Sequence, residues 1–151
     1  MAEAWRIIKA RRAETAFSGE GAALAGGRWN SKGVKTFYAS ATRSLAVLEN
    51  LVHINPPVLF KYVCFRMEFE DSLAEKIVAS RLPKDWDSHP PPPSTQRIGD
   101  DWVRSERSAV LAVPSAIIPK ELNFLFNASH PDFKKITIGK PASFAFDSRL
   151  F

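Results

Sequence analysis

"GGRWNSKGVKTFYASATRSLAVLENLVH", residues 26–53, sets a glycine-rich loop, a strand and an amphipathic helix in direct succession. In the loop, Gly26, Gly27 and Gly33 free the backbone to turn or to approach a ligand, Arg28 offers a guanidinium fork, and Trp29 offers a flat aromatic face with Asn30 beside it. Such a loop suits something flat and anionic. "VKTFYAS" (34–40) has strand character, and Ser40 is the expected N-cap of a helix over 41–53. On a helical wheel Ala41, Leu45, Leu48 and Val52 share one arc, Val47 and Leu51 widen it, and Arg43 and Asn50 lie opposite. Glu49 falls at the arc's border, one turn after Leu45, where a half-buried carboxylate faces a cleft between helix and sheet.

Upstream, "WRIIKA" (5–10) reads as a strand with Trp5 and Ile7 on one face and Arg6 and Ile8 on the other, and residues 11–33 read as a long, partly irregular loop. Downstream, "INPP" (54–57) ends the helix, and "VLFKYVCFRMEFE" (58–70) alternates as a long strand, with Leu59, Val63, Phe65, Met67 and Phe69 sharing a face. "DSLAEKIVAS" (71–80) predicts a short helix capped by Asp71 or Ser72, and residues 83–98 read as a proline-rich exposed connection without one fixed conformation. "DDWVRSER" (100–107) has a helical pattern, "SAVLAV" (108–113) reads as a buried strand ended by Pro114, and "KKITIGK" (134–140) as a further strand. Strands outnumber helices and no βαβ alternation is present. The expectation is one α+β domain over 1–151, with central sheet structure flanked by helices.

The 151 residues suffice for one domain with a real core, and 45% hydrophobic with 25% charged residues is the balance of an ordinary folded protein. Cys64 is the single cysteine and His53, His89 and His130 are scattered, so neither a disulfide nor a metal site is expected. With no secretory h-region and no apolar run of membrane-spanning length, a cytoplasmic location is expected. The net charge of +5 comes from basic residues spread along the chain, with only "KARR" (9–12) resembling a cluster. It fits small anions or an acidic protein partner as well as it fits nucleic acid.

Several side chains carry candidate chemistry. Arg28 suits a diphosphate gripped bidentately, or merely a surface carboxylate. Tyr38 suits a stacked ring or a hydrogen bond to ligand, or a core position with its hydroxyl outward. Glu49 marks either a site carboxylate or an ion pair with His53 or Arg43. Ser115, just past Pro114, lies where loops present functional groups, with Ser108 as a rival; neither has an identifiable base or a G-x-S-x-G elbow, so no hydrolase triad is read. Asn123, Asn127 and His130 in "LNFLFNASHPDF" offer polar contacts or turns.

Taken in order, "GGRWNSKG", "FYAS", "SLAVLENLVH", "VPSAIIP", "LNFLFNASHPDF" and "FDSRLF" resemble the RES-domain toxins of bacterial type II toxin–antitoxin modules, a family named for an arginine, a glutamate and a serine. The resemblance runs from "WRI" to the last residue. It implies an ADP-ribosyltransferase-like fold and an activity on NAD+ as substrate, without a metal: either destruction by hydrolysis or phosphorolysis at the nicotinamide–ribose bond, or transfer of ADP-ribose to a protein. It further implies that Arg28 binds the diphosphate, Glu49 holds the ribose or faces the developing charge, and Tyr38 positions the nicotinamide end. Ser115, with Ser108 as alternative, would orient ligand or glutamate, and Trp29, Asn30 and Asn123 would complete the ligand surface. The implied partner is an Xre-type antitoxin that occludes the cleft and supplies any DNA contact. Ala128 stands where the family usually has proline, and the proline-rich insert has no clear family counterpart. A non-enzymatic nucleic-acid-binding module is the alternative from a different class.

Overall fold

The computed structural model describes residues 1–151. Eight strands form one mixed sheet: β1 (Ala2–Lys9), β2 (Phe37–Ser40), β3 (Tyr62–Phe69), β4 (Ala74–Lys76), β5 (Val110–Pro114), β6 (Leu122–Phe126), β7 (Thr137–Ile138) and β8 (Ala142–Phe144). Their order is β4-β5-β6-β2-β1-β3-β7, with β8 also paired to β3. Only β4 and β5 run parallel. Three α-helices accompany the sheet: α1 (Glu20–Ala25), α2 (Arg43–Leu51) and α3 (Pro93–Ser105). The α+β expectation therefore holds.

Strand alternation sorts the core onto two faces. One face is rich in phenylalanine: Phe37, Met67, Phe69, Phe124 and Phe126 pack with Ala4 and Val110, and Phe17 and Phe133 close over them. Phe37 and Phe126 stack with centroids 4.8 Å apart. The opposite face carries two smaller clusters. Trp102 of α3 packs on Trp29, Leu111, Val113 and Leu125, while Ala46 of α2 packs on Ile7 and Tyr62. A cleft opens between these two helix-covered regions.

Several sequence expectations change. The N-cap of α2 is Thr42, whose Oγ1 accepts from Leu45 N–H at 3.1 Å, while the Ser40 hydroxyl donates to Asn123 Oδ1 at 2.7 Å inside β2. The helix buries Leu45 and Ala46, leaving Leu48 and Val52 exposed. Small Ala46 lets α2 sit close to the sheet, which turns Glu49 inward and rotates the broad apolar arc away from its predicted centre. Residues 71–80 form no α-helix; a 3-10 turn at Asp71–Leu73 leads into β4, because Ala74–Lys76 find a parallel partner in β5. Residues 11–33 hold α1 and part of a 3-10 helix over Ala10–Thr15. The strand expected over 58–70 begins only at Tyr62, leaving Leu59 exposed, and that expected over 134–140 shrinks to Thr137–Ile138. Within the proline-rich connection at 83–98, residues 84–90 are mostly exposed, but Trp86 packs on the Trp102 cluster and α3 starts at Pro93. Proline suits that first turn because its missing N–H is one the helix would leave unpaired.

Candidate active site

The glycine loop is bolted to α3. Thr95 Oγ1 donates to the Arg28 carbonyl at 2.6 Å, Gln96 Nε2 donates to Gly27 O at 3.0 Å, and the Ser31 N–H and hydroxyl donate to the two Asp100 oxygens at 2.9 and 2.6 Å. Gly99 makes this contact possible, since a Cβ there would lie 1.6 Å from the Trp29 carbonyl oxygen. Gly27 serves a second close approach, with a Cβ position 2.8 Å from Tyr38 Oη.

This scaffold faces a cavity of about 880 Å³ between α1, α2, β2 and the segment before α3. Its size is in the range of pockets that hold small organic ligands. Arg28, Tyr38, Glu49, Ser40 and Asn123 all line it. Arg28 reaches across to the pre-α3 segment, where Nη1 donates to the carbonyls of Trp86 at 2.9 Å and Ser88 at 2.7 Å. Nε and Nη2 make no protein hydrogen bond, so one edge of the guanidinium remains for an anion. Partial burial lowers the Arg28 pKa, while Glu49, then Asp87, then Tyr38 oppose that effect. Glu49 thus shares a field with Arg28, but the two form no ion pair.

Glu49 projects from the flank of α2, one turn after Leu45. Its Oε1 accepts from Ser115 Oγ and from Asn123 Nδ2, both at 2.7 Å. Oε2 has no protein partner and is left to the cavity. Ser115 is fully buried, and its oxygen also accepts from the N–H groups of Ile117 and Ile118, both at 3.1 Å. It supports the carboxylate from behind. Ser108 lies elsewhere, between Trp102 Nε1 and the Val110 carbonyl, both at 2.8 Å. Neither His53 nor Arg43 pairs with Glu49; the Arg43 guanidinium sits 4.1 Å from the centroid of the Trp5 ring.

The remaining loop residues play supporting parts. The Tyr38 hydroxyl donates to Asn30 Oδ1 and accepts from the Trp29 N–H at 3.3 Å. Burial pushes its phenol well above the usual tyrosine range. Trp29, expected to present an aromatic face, is 2% exposed, with its side chain in the Trp102 cluster. Asn30 is fully buried, and its Nδ2 donates to the carbonyls of Ala22, Ser31 and Val34. Both hold the loop together, because a loop this irregular must satisfy its own backbone groups, and Trp29 also forms part of the cavity wall. Asn123 bonds Ser40 and Glu49, whereas Asn127 and His130 lie away from the cavity and fasten the chain after β6 through Ser129 N–H, Asp132 N–H and the Glu106 carbonyl. Sequence reasoning missed Arg6, whose guanidinium supports the cleft floor by donating to Tyr38 O at 2.7 Å and Ala16 O at 2.9 Å. Its desolvation lowers its pKa to about 10. The signal was an arginine set between Trp5 and Ile7 in the middle of a strand.

The irregular arginine loop, glutamate-bearing helix and curled mixed sheet make up a fold seen elsewhere: the chain superposes with TM-score 0.76 on a chain of the Mycobacterium tuberculosis MbcT–MbcA toxin–antitoxin complex, at 15% identity, covering 95% of this chain and 84% of that one. The sequence matches the RES domain over residues 3–147, and the protein belongs to that family. A Yersinia enterocolitica protein named Toxin Res is 40% identical over 97% of both chains. A Sphingobium protein named Prs ADP-ribosylating toxin is 39% identical, covering 97% of this chain and 94% of its own length. The chain is a RES-domain toxin.

Proposed function

We propose that the protein inhibits growth by cleaving the nicotinamide–ribose bond of NAD+, with water or phosphate as acceptor, and that an antitoxin restrains it. The observation that carries this reading is the opposition of Arg28 and Glu49 across one cavity, each tethered through one terminal atom and free at the other. The free edge of Arg28 takes the diphosphate. Cleavage sends the bonding electron pair to the nicotinamide nitrogen, so nicotinamide departs neutral and positive charge develops on C1′ and the ring oxygen. Glu49 Oε2 stabilises that charge, and a fixed carboxylate does so without reorganising. Water or phosphate then bonds to C1′, giving ADP-ribose with release of a proton, or its phosphorylated form. Ser115 and Asn123 hold the carboxylate, and Tyr38, tied to Asn30, positions the nicotinamide end from the cleft floor.

Purified protein incubated with NAD+, with and without inorganic phosphate, tests the reading. Nicotinamide release, with ADP-ribose or ADP-ribose phosphate as co-product and loss of turnover in Arg28→Ala, is the expected result. Intact NAD+ in both buffers would reject simple degradation. A second reading, transfer of ADP-ribose to a protein, is favoured by the name of the Sphingobium relative. It predicts nicotinamide release only when an acceptor protein such as Prs is added, with a matching mass increase on that acceptor. An Xre-type antitoxin covering the cleft is part of the proposal, and its addition should suppress either activity.

A further inference from the structure

The segment before α3 is more than a connection. Leu82 and Trp86 pack against the Trp102 cluster, Asp85 accepts from Ser94 Oγ at 2.7 Å, and Arg28 Nη1 holds the carbonyls of Trp86 and Ser88. The two held carbonyls flank Asp87. Fastened on both sides, this residue lines the same cavity as Glu49, and His89 and Pro91 continue the wall. Asp87 itself is exposed, so its carboxylate is available to a ligand.

A dinucleotide carries one ribose on each side of its diphosphate. The cavity likewise sets two carboxylates around its arginine: Glu49 from α2 and Asp87 from the strap at 82–92, each close enough to act on the charge of Arg28. A carboxylate accepts hydrogen bonds from both hydroxyls of a ribose, and it repels a phosphate placed on one of them. The same chemistry lets an acidic residue favour NAD over NADP in unrelated dinucleotide sites. His89 and Pro91 add a flat imidazole and an apolar ring against which a purine can lie.

We infer that the strap forms the adenosine half of the site: Asp87 takes the adenosine ribose hydroxyls and makes the toxin discriminate against the 2′-phosphate of NADP+. This rests on the NAD+ reading above, and its test separates the two. Calorimetry measures binding of ADP-ribose and of 2′-phospho-ADP-ribose to wild type, Asp87→Ser and Arg12→Ala, while nicotinamide release from NAD+ and NADP+ is followed in parallel. Wild type should prefer the unphosphorylated ligand, and Asp87→Ser should shrink that preference by about tenfold or more, with weaker ADP-ribose binding and tighter binding of the 2′-phosphate form. The Asp87 side chain is exposed and makes no protein hydrogen bond, so a thermal unfolding curve like wild type's is expected and confirms that the variant is folded. A preference unchanged in Asp87→Ser overturns the assignment, as does one that responds instead to Arg12→Ala, since Arg12 is the exposed cation on another part of the cavity wall. If nicotinamide is released but the preference ignores Asp87, the strap assignment fails and the activity stands. If ligand preference follows Asp87 but NAD+ stays intact, the cleavage reading fails and the adenosine site stands.

Discussion

Glu49→Gln separates the two jobs given to one carboxylate. A glutamine oxygen in place of Oε1 still accepts from Ser115 and Asn123, which leaves the amide NH2 where Oε2 faced the cavity. The scaffold contacts survive, but the negative charge does not. For unit charges about 4 Å apart at an effective dielectric constant near 20, the lost attraction to the developing oxocarbenium charge is about 4 kcal/mol. That corresponds to a fall of about 10³-fold in the rate of nicotinamide release. Two hydrogen bonds also change from charge-assisted to neutral, at about 1 kcal/mol each before the relieved desolvation of the charge offsets part of it. For a domain of this size the Tm should therefore fall by no more than about 8 °C. The assay is nicotinamide release under saturating NAD+, beside a thermal unfolding curve of the same sample. A folded Glu49→Gln protein that keeps more than about a tenth of wild-type turnover would refute the electrostatic role.

Ser115→Ala leaves the Ile117 and Ile118 N–H groups without their acceptor and Glu49 with one tether, so it should destabilise by about 3 kcal/mol and lower kcat about tenfold with little change in KM. Unfolding and steady-state kinetics check both effects, and a variant of unchanged kcat would remove Ser115 as a positioning residue. The raised pKa of Tyr38 gives a pH dependence of definite sign. Above about pH 10 the unfolded chain loses a phenolic proton that the folded chain keeps, so stability falls with rising pH from that point, and the Tyr38→Phe variant lacks this component. Tyrosinate absorbance, read as wild type minus Tyr38→Phe while both are folded, should show no titration near pH 10; a normal titration there would contradict the buried hydroxyl pair with Asn30.

The strands nearest the cleft were legible because their two faces meet different surroundings. Trp5 and Ile7 alternate with Arg6, and Phe37 and Ala39 with Tyr38 and Ser40, so period-two patterning reads directly. Residues 71–80 misled for the opposite reason. Ala, Glu and Lys favour helix locally, but β4 owes its state to a partner, β5, far along the chain. The site was legible in part. Glu49 stood out at a helix border, yet its bond to Ser115 spans 66 residues and no spacing rule announces it. The packing of Trp29 and the hydrogen bonds of Asn30 inside the loop were not legible, because a loop that binds a ligand and a loop that binds itself have the same composition. The strap at 82–92 was opaque since its order comes from a guanidinium and a tryptophan pocket, neither of which prolines encode.

The tethers explain how opposite charges share a cleft without cancelling. Left to themselves, a guanidinium and a carboxylate on facing walls would close on each other, and a substrate would have to break that pair before binding. Here Arg28 spends Nη1 on two strap carbonyls, and Glu49 spends Oε1 on Ser115 and Asn123. Each charge is held back at one atom and exposed at another. On the proposed reading, the field between them matches a ligand that is anionic at its centre and becomes cationic at one end during reaction, and no reorganisation is needed when that charge develops. Loosening either tether should therefore harm the site twice, by misplacing one charge and by releasing it toward the other. On the proposed reading, Ser115, which never touches the cavity, therefore belongs to the same functional unit as Arg28 and Glu49.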